Sequence, residues 1–330
     1  MYSSFLHFFS SRSPLQRLRL RLLCSFLGGL LLMPPGSLCA APSPARSGTI
    51  IAWGENDQRQ TAVPAALSHV TAIAAGGNHS LALESDGMVA VWGDSVYGKL
   101  TVPLNLSGVV AIAAGSKHNL ALKSDGMVVA WGRNYYGETT VPAGLSGVTA
   151  IAVGHSVSLA LKSDGKVVGW GDNSFGQLTV PAGLSHVTAI AAGIFHTLAL
   201  KSNGTVVAWG DTVNDLEEND YGQATVPAGL SGVVAIAAGG SHSLALKRDG
   251  TVVAWGDNSS GQTAVPPGLS HVTAIAAGSS HSMALKSDGT VVAWGFNGYG
   301  ETTIPAGLSH VIAIAAGDDF SLAVVSSLGR

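Results

Sequence analysis

Five histidines at nearly regular spacing are the residues of this 330-residue sequence best suited to metal or acid–base chemistry. Each lies three positions after a glycine, and they are His79, His118, His196, His242 and His281. Imidazole is a common metal ligand and general base. A shared metal site would need a histidine at every equivalent position, but Val157 and Phe320 occupy two of them. We therefore predict that the histidines pack or hydrogen-bond locally, with no metal site and no catalytic residue.

A second chemical feature is an acidic segment inside an insertion between Trp209 and Trp255. Its carboxylates are Asp211, Asp215, Glu217, Glu218 and Asp220. Carboxylates bind calcium, but the segment lacks the D-x-[DN]-x-[DN]-G spacing of a calcium-binding loop. A solvated acidic loop is favoured, and calcium binding or contact with a basic patch on a partner are the alternatives.

Residues 1–45 are predicted to be a secretory signal peptide with a short linker. Four arginines between residues 12 and 21 precede an apolar run, Leu22 to Met33, and then a stretch of small residues. This order is typical of a secretory leader, and the run is shorter than the roughly 20 residues of a membrane span. Both cysteines, Cys24 and Cys39, lie in the leader. We expect a secreted, periplasmic or cell-surface protein whose mature form has no disulfide and no reactive thiol.

The charge of the remaining chain argues against a nucleic-acid partner. The first 46 residues hold five arginines and no acidic residue, and the rest holds 12 basic against 20 acidic residues, a net charge of −8. A phosphate backbone is bound by clustered lysine and arginine side chains. We therefore expect a protein partner, no nucleic acid, no cofactor, no membrane insertion after removal of the leader, and a monomer.

The elements that position these residues are repeats marked by seven Trp-Gly pairs, spaced 39 residues apart except for one spacing of 46. The tryptophans are Trp53, Trp92, Trp131, Trp170, Trp209, Trp255 and Trp294, and we predict that they pack between repeats. Four short runs in each unit, such as VTAIAAG, HSMALKS, TVVAWG and ETTIP, are separated by turn signals and predict four strands. A unit of this length buries its apolar face only against a neighbour. Residues 46–330 are thus predicted to form an all-β, seven-bladed β-propeller of four-stranded antiparallel blades.

The two ends of the repeats predict how the ring closes. Residues 49–54 read as a third strand without a first or second, and residues 311–325 read as a first and second strand without a third. Pairing of the N-terminal strand 49–54 with the C-terminal strands 311–325 would complete one blade. Closure would also remove exposed strand edges that promote aggregation.

The recurring pattern G-x-x-H-s-l-A-L-k-s-D-G-x-V-v-a-W-G-d-n-x-x-G-q resembles the regulator of chromosome condensation repeat family, from about Thr49 to Val325. The resemblance implies a seven-bladed propeller. The short unit and its A-V-P-A-x-L-S-G-V connector are similar to those of secreted propeller-type β-lactamase inhibitors, in which aromatic residues in the loops grip the target. Phe195 is the aromatic residue in the first turns of this sequence. The chromatin and GTPase-exchange roles of eukaryotic members fit a secretory leader and an acidic domain less well.

Function is expected on the face where the units differ. Antiparallel strands place the first and third turns of each unit on one face, and the second turn and the connector on the other. The second turns and connectors are nearly identical, whereas the first and third turns vary and carry the aromatic residues. The predicted partner-binding residues are Tyr135, Phe195, Phe296, Tyr97, Tyr136, Phe175, Tyr299 and Lys117. Packing against their own loop is the alternative for the aromatic residues that directly precede a glycine at equivalent positions, which are Tyr97, Tyr136, Phe175, Tyr221 and Tyr299. Tyr135, Phe195 and Phe296 have no such repeated role.

The sequence therefore predicts a non-catalytic protein-binding propeller, with inhibition of an extracellular or periplasmic enzyme as one form of this function. Carbohydrate binding or cell-surface adhesion is the alternative, because tyrosine and asparagine in loops also suit sugars. An enzyme or a guanine-nucleotide exchange factor fits less well.

Overall fold

The computed structural model describes residues 48–210 and 221–326, and the regular structure in these ranges is almost entirely β-strand. The predicted all-β class is confirmed. The one helical segment of the described ranges is a 3₁₀ turn, Val96–Gly98, and no described helix is long and apolar enough to cross a membrane. The leader, both cysteines and the acidic residues Asp211, Asp215, Glu217, Glu218 and Asp220 lie outside the described residues.

Each repeat contributes three strands. The first strands are β2 (Val70–Ala75), β5 (Val109–Ala114), β8 (Val148–Val153), β11 (Val187–Ala192), β14 (Val233–Ala238), β17 (Val272–Ala277) and β20 (Val311–Ala316). The second strands are β3 (His79–Glu84), β6 (His118–Lys123), β9 (Val157–Lys162), β12 (His196–Lys201), β15 (His242–Lys247), β18 (His281–Lys286) and β21 (Phe320–Ser326). The third strands are β1 (Gly48–Gly54), β4 (Val89–Gly93), β7 (Val128–Gly132), β10 (Val167–Gly171), β13 (Val206–Gly210), β16 (Val252–Gly256) and β19 (Val291–Gly295).

The second strand is the centre of each unit. It pairs antiparallel with the first and third strands, as β6 does with β5 and β7. Its first five residues are all buried, so buried and exposed positions do not alternate along the strand. The turn that follows closes at a glycine with positive φ, such as Gly126 at 80°, a conformation that other residues rarely adopt.

The prediction of four-stranded blades is wrong for the described residues, because the fourth run is a loop. In the last complete repeat the Thr303 N–H donates to the Gly300 carbonyl at 3.0 Å, and the Thr302 N–H donates to the Asn297 side chain at 3.0 Å. The backbone donors of this run are therefore used inside its own loop. Pro305 has no N–H, and a proline interrupts the ladder that a fourth strand would need.

The strands form five three-stranded sheets and one six-stranded sheet with the order β20-β21-β1-β2-β3-β4. Within the larger sheet, β1 pairs with β21 over seven residues, from Gly48 opposite Ser326 to Gly54 opposite Phe320. By contrast, β1 meets β2 at the single pair Gly48 and Val70. The N-terminal strand therefore lies beside the C-terminal strand as the third strand of its unit, and the larger sheet consists of two such units.

The first strands surround a central channel. Backbone hydrogen bonds link neighbouring first turns, from Gly77 to Gly115, His155 to Gly193, Ile194 to Gly240, Gly240 to Gly278, Ser279 to Gly317 and Asp318 to Gly76. The channel has a volume of about 80 Å³ and is lined mainly by the alanine and glycine at the end of each first strand. This volume holds a few water molecules at most. The channel is therefore smaller than the pockets of about 300–1,000 Å³ that usually hold small-molecule ligands.

The tryptophans join one repeat to the next. Trp131 packs against Leu81, Leu83 and Val109 of the preceding and its own repeat, and its Nε1 donates to the Lys99 carbonyl at 2.9 Å. All seven tryptophans make this bond, to the carbonyls of Gln60, Lys99, Glu138, Gln177, Gln223, Gln262 and Glu301. Each indole thus anchors the third turn of the preceding repeat.

Candidate functional site

The first and third turns of the repeats meet on one side of the molecule, which we call the variable face. The Lys117 ammonium, in a first turn, lies 5.7 Å from the centre of the Tyr97 ring in the preceding third turn. Phe195 and Phe175 make the equivalent contact two repeats later, with ring centres 4.7 Å apart. The second turns instead bond to the connectors, as the Ser124 N–H does to the Gly108 carbonyl at 2.8 Å.

Among the described residues of the variable face, the largest aromatic group is the Arg133 cluster, formed by Tyr97, Lys117, Arg133, Tyr135 and Tyr136. The rings of Tyr97 and Tyr135 meet edge to face with centres 6.1 Å apart. The Arg133 guanidinium lies 5.8 Å from the Tyr135 ring and 5.5 Å from the Tyr136 ring. Cations at such distances from aromatic rings are attracted by the ring quadrupole. The three tyrosines are exposed, Tyr135 to 76%, so the cluster is an aromatic surface with two cations.

Arg133 is held in place by buried partners. Its Nε donates to Glu138 Oε1 at 2.7 Å, and its guanidinium donates to the Ser156 hydroxyl of the next repeat. Glu138 Oε2 accepts the Tyr136 N–H at 2.7 Å. Burial alone would raise the pKa of Glu138, but the backbone N–H bonds and Arg133 outweigh burial and lower it. The carboxylate is therefore ionised at neutral pH and fixes the guanidinium.

The other predicted aromatic residues form two separate pairs. Phe175 and Phe195 are half-buried against each other. Phe296 and Tyr299 are exposed, with ring centres 6.3 Å apart. The residues predicted from the sequence thus share one face but make three groups, of which the Arg133 cluster is the largest.

An acidic area on the same face was not foreseen from the sequence. It consists of Glu55, Glu301, Asp318 and Asp319, contributed by both ends of the chain. Burial raises the pKa of Asp318 to about 6, helped by the charges of Asp319 and Glu55. The pKa values of Glu55, Glu301 and Asp319 are also raised, with burial as the main cause. The variable face therefore has a basic side and an acidic side.

The five regularly spaced histidines connect neighbouring repeats. The Ser158 hydroxyl donates to the Glu138 carbonyl at 2.7 Å, so it accepts a hydrogen bond from His118 Nε2 at 2.9 Å. The other four make equivalent bonds from His79 to Asn119, His196 to Ser243, His242 to Ser282 and His281 to Ser321. Within residues 48–210 and 221–326, no group of histidine and acidic side chains is arranged to hold a metal ion.

Burial keeps these imidazoles neutral. It lowers the pKa of His79, His118 and His242 to about 4, and of His196 and His281 to about 3. The Nδ1 atom of each ring is buried and has no hydrogen-bond partner. Protonation would place an N–H at this atom with no acceptor, which explains why burial disfavours the charged ring.

Comparison with known proteins finds one matching repeat family. The profile of the "Regulator of chromosome condensation (RCC1) repeat" matches residues 70–99, 109–138, 148–177, 187–223, 233–262 and 272–301. No curated protein is a significant match to the chain.

Among solved structures, Prp20p of Saccharomyces cerevisiae has a TM-score of 0.71 and 22% identity, covering 86% of this chain and 92% of its own. Human WBSCR16 has a TM-score of 0.68 and 18% identity, covering 86% and 100%. The ectodomain of the Physcomitrella patens receptor kinase CR4 has a TM-score of 0.64 and 25% identity, covering 78% and 71%. Prp20p is described as binding Gsp1p and histones. At these identities, the likeness shows a shared fold.

Proposed function

Because the chain belongs to the regulator of chromosome condensation (RCC1) repeat family, we propose that it is a non-catalytic propeller that binds a protein through its variable face. The observation that carries this proposal is the Arg133 cluster, which joins exposed tyrosines of two repeats to two cations. Tyrosine and arginine are enriched in the centres of protein interfaces. A solved propeller of the same fold, Prp20p, is described as binding proteins.

We also infer that the repeats make seven blades in a closed ring. The pairing of β1 with β21 supports this inference, because it gives the C-terminal unit its third strand. The bonds around the central channel support it as well, since the Asp318 N–H of the last repeat donates to the Gly76 carbonyl of the first at 3.2 Å. A closed ring would hold the turns of the variable face at fixed positions, which limits the entropy lost on binding.

A protein ligand is favoured over a sugar because three asparagines in the described third turns are already bonded. The Asn134 side chain accepts the Thr139 N–H at 2.9 Å and bonds the Thr140 hydroxyl at 3.0 Å. Asn173 and Asn297 make the same bonds in their own loops. Sugar recognition relies on free amide donors and acceptors beside the aromatic rings. The tyrosines therefore present aromatic area without such a polar set, which suits a protein surface better.

The proposed protein is exported, as its leader indicates, and its partner is encountered outside the cytoplasm. An exported enzyme is one such partner, which the propeller would inhibit by covering its active site. Export is tested by N-terminal sequencing of the protein from an exported fraction, and we expect a new N-terminus between about Ala40 and Gly48. Recovery of intact Met1 from a cytosolic fraction would contradict it.

Partner binding is tested by quantitative capture from the exported proteins of the source organism, with the mature protein as bait. We expect one or a few proteins to be lost when Tyr135→Ala or Tyr97→Ala replaces the wild type, because an aromatic anchor contributes about 2 kcal/mol or more when it is a hot spot. Phe195→Ala and Phe296→Ala test the two smaller groups in the same way.

The matched control is Met127→Ala, which removes an exposed apolar side chain from a second turn on the opposite face. It should leave capture unchanged, and all variants should keep the wild-type melting temperature. Loss of capture with Met127→Ala, together with full capture by the aromatic variants, would place binding on the other face and overturn the proposal.

A further inference from the structure

Glu301, in the third turn after β19, has a carboxylate oxygen with no partner. Its Oε2 accepts the Tyr299 N–H at 2.9 Å, whereas Oε1 is buried and makes no hydrogen bond. The side chain is completely inaccessible to solvent. Its backbone is well fixed, because the Glu301 carbonyl accepts bonds from Trp53 Nε1 at 2.8 Å and from the Ser321 hydroxyl at 2.9 Å. A buried acceptor without a donor is unfavourable, so this oxygen is a sign of a missing group.

The other repeats show what is missing. In four other repeats the equivalent residue pairs with the side chain five positions earlier in the same turn. The pairs are Glu55 with Gln60 at 2.9 Å, Asp94 with Lys99 at 2.6 Å, Arg133 with Glu138 at 2.7 Å, and Asp257 with Gln262 at 2.7 Å. Five positions before Glu301 stands Phe296, which cannot donate a hydrogen bond. The polar partner has been replaced by a ring, and the carboxylate remains.

The Arg133 site is an internal template for the Glu301 site. The two correspond residue by residue, with Arg133 equivalent to Phe296, Tyr136 to Tyr299, Glu138 to Glu301 and Ser156 to Asp319. In the first site a guanidinium bridges the glutamate and the first turn of the next repeat. The Glu301 site has the same glutamate and tyrosine, but the carboxylate of Asp319 stands where the Arg133 site has the hydroxyl of Ser156. It has every element of a guanidinium site except the guanidinium.

The side chain of Phe296 has a position defined by Gly298. Its ring lies against Gly298, over the space that a Cβ at that position would fill. Tyr135 occupies the equivalent position in the Arg133 site. The turn therefore differs from the Arg133 turn at two positions. The exposed rings of Phe296 and Tyr299 meet edge to face, and the Tyr299 N–H donates to Glu301.

The carboxylates around Glu301 also favour the binding of a cation. Asp319 raises the pKa of Glu301, after burial as the larger cause, and Asp319 and Glu55 both raise the pKa of Asp318. The lysines that act on Asp318, Lys99 and Lys117, have smaller effects than these acids. The four carboxylates are not arranged as a metal site within the described ranges. An organic cation that reaches between the side chains fits this area better than a metal ion.

We propose that the Glu301 site binds the guanidinium of an arginine side chain of a protein partner, between Glu301 and Asp319 and against the rings of Phe296 and Tyr299. Glu301 is covered in the free protein, so binding requires the side chains over it to move aside. The identification of the occupant rests on the function proposed above, since it assigns the arginine to the bound protein. Arginine is favoured over lysine because its planar fork donates to two acceptors at once, as Arg133 does to Glu138 and Ser156. The bound cation would give Glu301 Oε1 the donor that it lacks.

The test uses the mature protein and a short peptide, acetyl-Gly-Arg-Gly-amide, with the citrulline peptide as the matched neutral control. The readout is the indole N–H resonance of Trp53 in heteronuclear NMR, because this group donates to the Glu301 carbonyl. We expect the arginine peptide to shift this resonance saturably, with an affinity in the millimolar range that is normal for one side chain. The Trp170 indole, which donates to the Glu138 carbonyl of the filled site, should not shift.

Two variants make the test specific. Glu301→Gln introduces the residue that stands at this position in Gln60 and Gln262, so it should fold, and it should lower the affinity by about tenfold or more. Phe296→Arg copies the Arg133 site. It should abolish binding of the peptide, because its own guanidinium would fill the site, and it should raise the melting temperature.

Equal binding of the arginine and citrulline peptides would overturn the proposal, and so would unchanged affinity in Glu301→Gln or the absence of any shift in the millimolar range. These outcomes are separate from failure of the proposed function. If capture of a partner depends on Tyr135 but not on Glu301, the variable face binds a protein and the guanidinium site is refuted. If the peptide binds but no partner is captured, the site stands and the proposed function fails.

Discussion

The buried histidines predict that the fold is sensitive to mild acid. Five imidazoles have pKa values lowered to about 3 or 4 by burial, whereas an unfolded histidine titrates near 6.5. The unfolded chain therefore binds protons that the folded chain excludes. For groups with a lowered pKa of this type, the folded state has its full stability above the unfolded pKa and loses stability as the pH falls below about 6.5.

The size of the effect follows from the two pKa values. Between pH 7 and pH 5, a histidine that titrates near 6.5 when unfolded and near 4 when folded lowers the free energy of unfolding by about 2 kcal/mol. Five such groups together give roughly 9 kcal/mol, comparable to the whole stability of many domains. Asp318 acts in the opposite direction, because its pKa is raised to about 6, and it contributes about 1 kcal/mol over this range. The raised pKa values of Glu55, Glu301 and Asp319 act in the same direction as that of Asp318. The contribution of the five histidines is larger, so the free energy of unfolding is expected to fall as the pH falls from 7 to 5.

The perturbation is His242→Val, measured by urea unfolding at several pH values between 7 and 5. Valine already stands at the equivalent position of another repeat, as Val157. The hydroxyl that faces Val157 belongs to Thr197, and it donates to the Gln177 carbonyl although no histidine donates to it. The variant should fold and should lose about one fifth of the pH dependence, because one of five titrating groups is gone. The control is His271→Gly, which removes an exposed histidine at a position where other repeats carry glycine.

Two results would refute this reasoning. The first is a wild-type urea midpoint that stays constant between pH 7 and pH 5. The second is a pH dependence that His271→Gly reduces as much as His242→Val does, because the acid sensitivity would then arise from exposed groups and not from the bonds between repeats.

Three further predictions concern the repeat interfaces and the acidic area. Trp131→Phe should lower stability by about 1–2 kcal/mol in a thermal melt, a modest loss because the Lys99 carbonyl keeps its bond from Asn119. Deletion of residues 48–54 should expose the edge of β21, and light scattering should show aggregation at a temperature where the wild type is clear. Asp318→Asn should stabilise the protein at pH 7 by about 3 kcal/mol, since it removes a carboxylate whose pKa is raised to about 6 and which is ionised at that pH. In denaturation at lower pH, this gain should disappear as the pH falls from 6 towards 4.

The fold could be predicted from the sequence because the same residues recur at a fixed spacing in every repeat. The Trp-Gly pairs mark each repeat, and the two incomplete ends, residues 49–54 and 311–325, match as strands of one unit. The prediction failed on the fourth strand, where a run such as ETTIP has β-forming residues. Local bonds decided the outcome, because Asn297 and Gly300 take up the N–H groups of the run before a neighbouring strand can.

The candidate site was predicted only in part. The placement of the aromatic residues on one face follows from antiparallel strands alone, so it could be derived from turn positions. The Arg133 and Glu138 pair needed a comparison of residues five apart in every repeat, a signal that the sequence contains. The acidic area could not be found along the chain, because Glu55 and Asp319 are 264 positions apart in the sequence and meet only through the pairing of β1 with β21.

The variable face can diversify because the fold does not depend on the side chains at its tips. The third turns are held by their backbone carbonyls, such as that of Lys99, which binds Trp131 and Asn119 from the strands of the next repeat. A change at a turn tip such as Tyr135 leaves those bonds intact and has little effect on stability. Glu301 is different, because its unpaired oxygen is buried and lowers the stability of the free protein. A residue of this kind is expected where a ligand recovers the lost free energy on binding, which is the physical reason to look for an arginine at this site first.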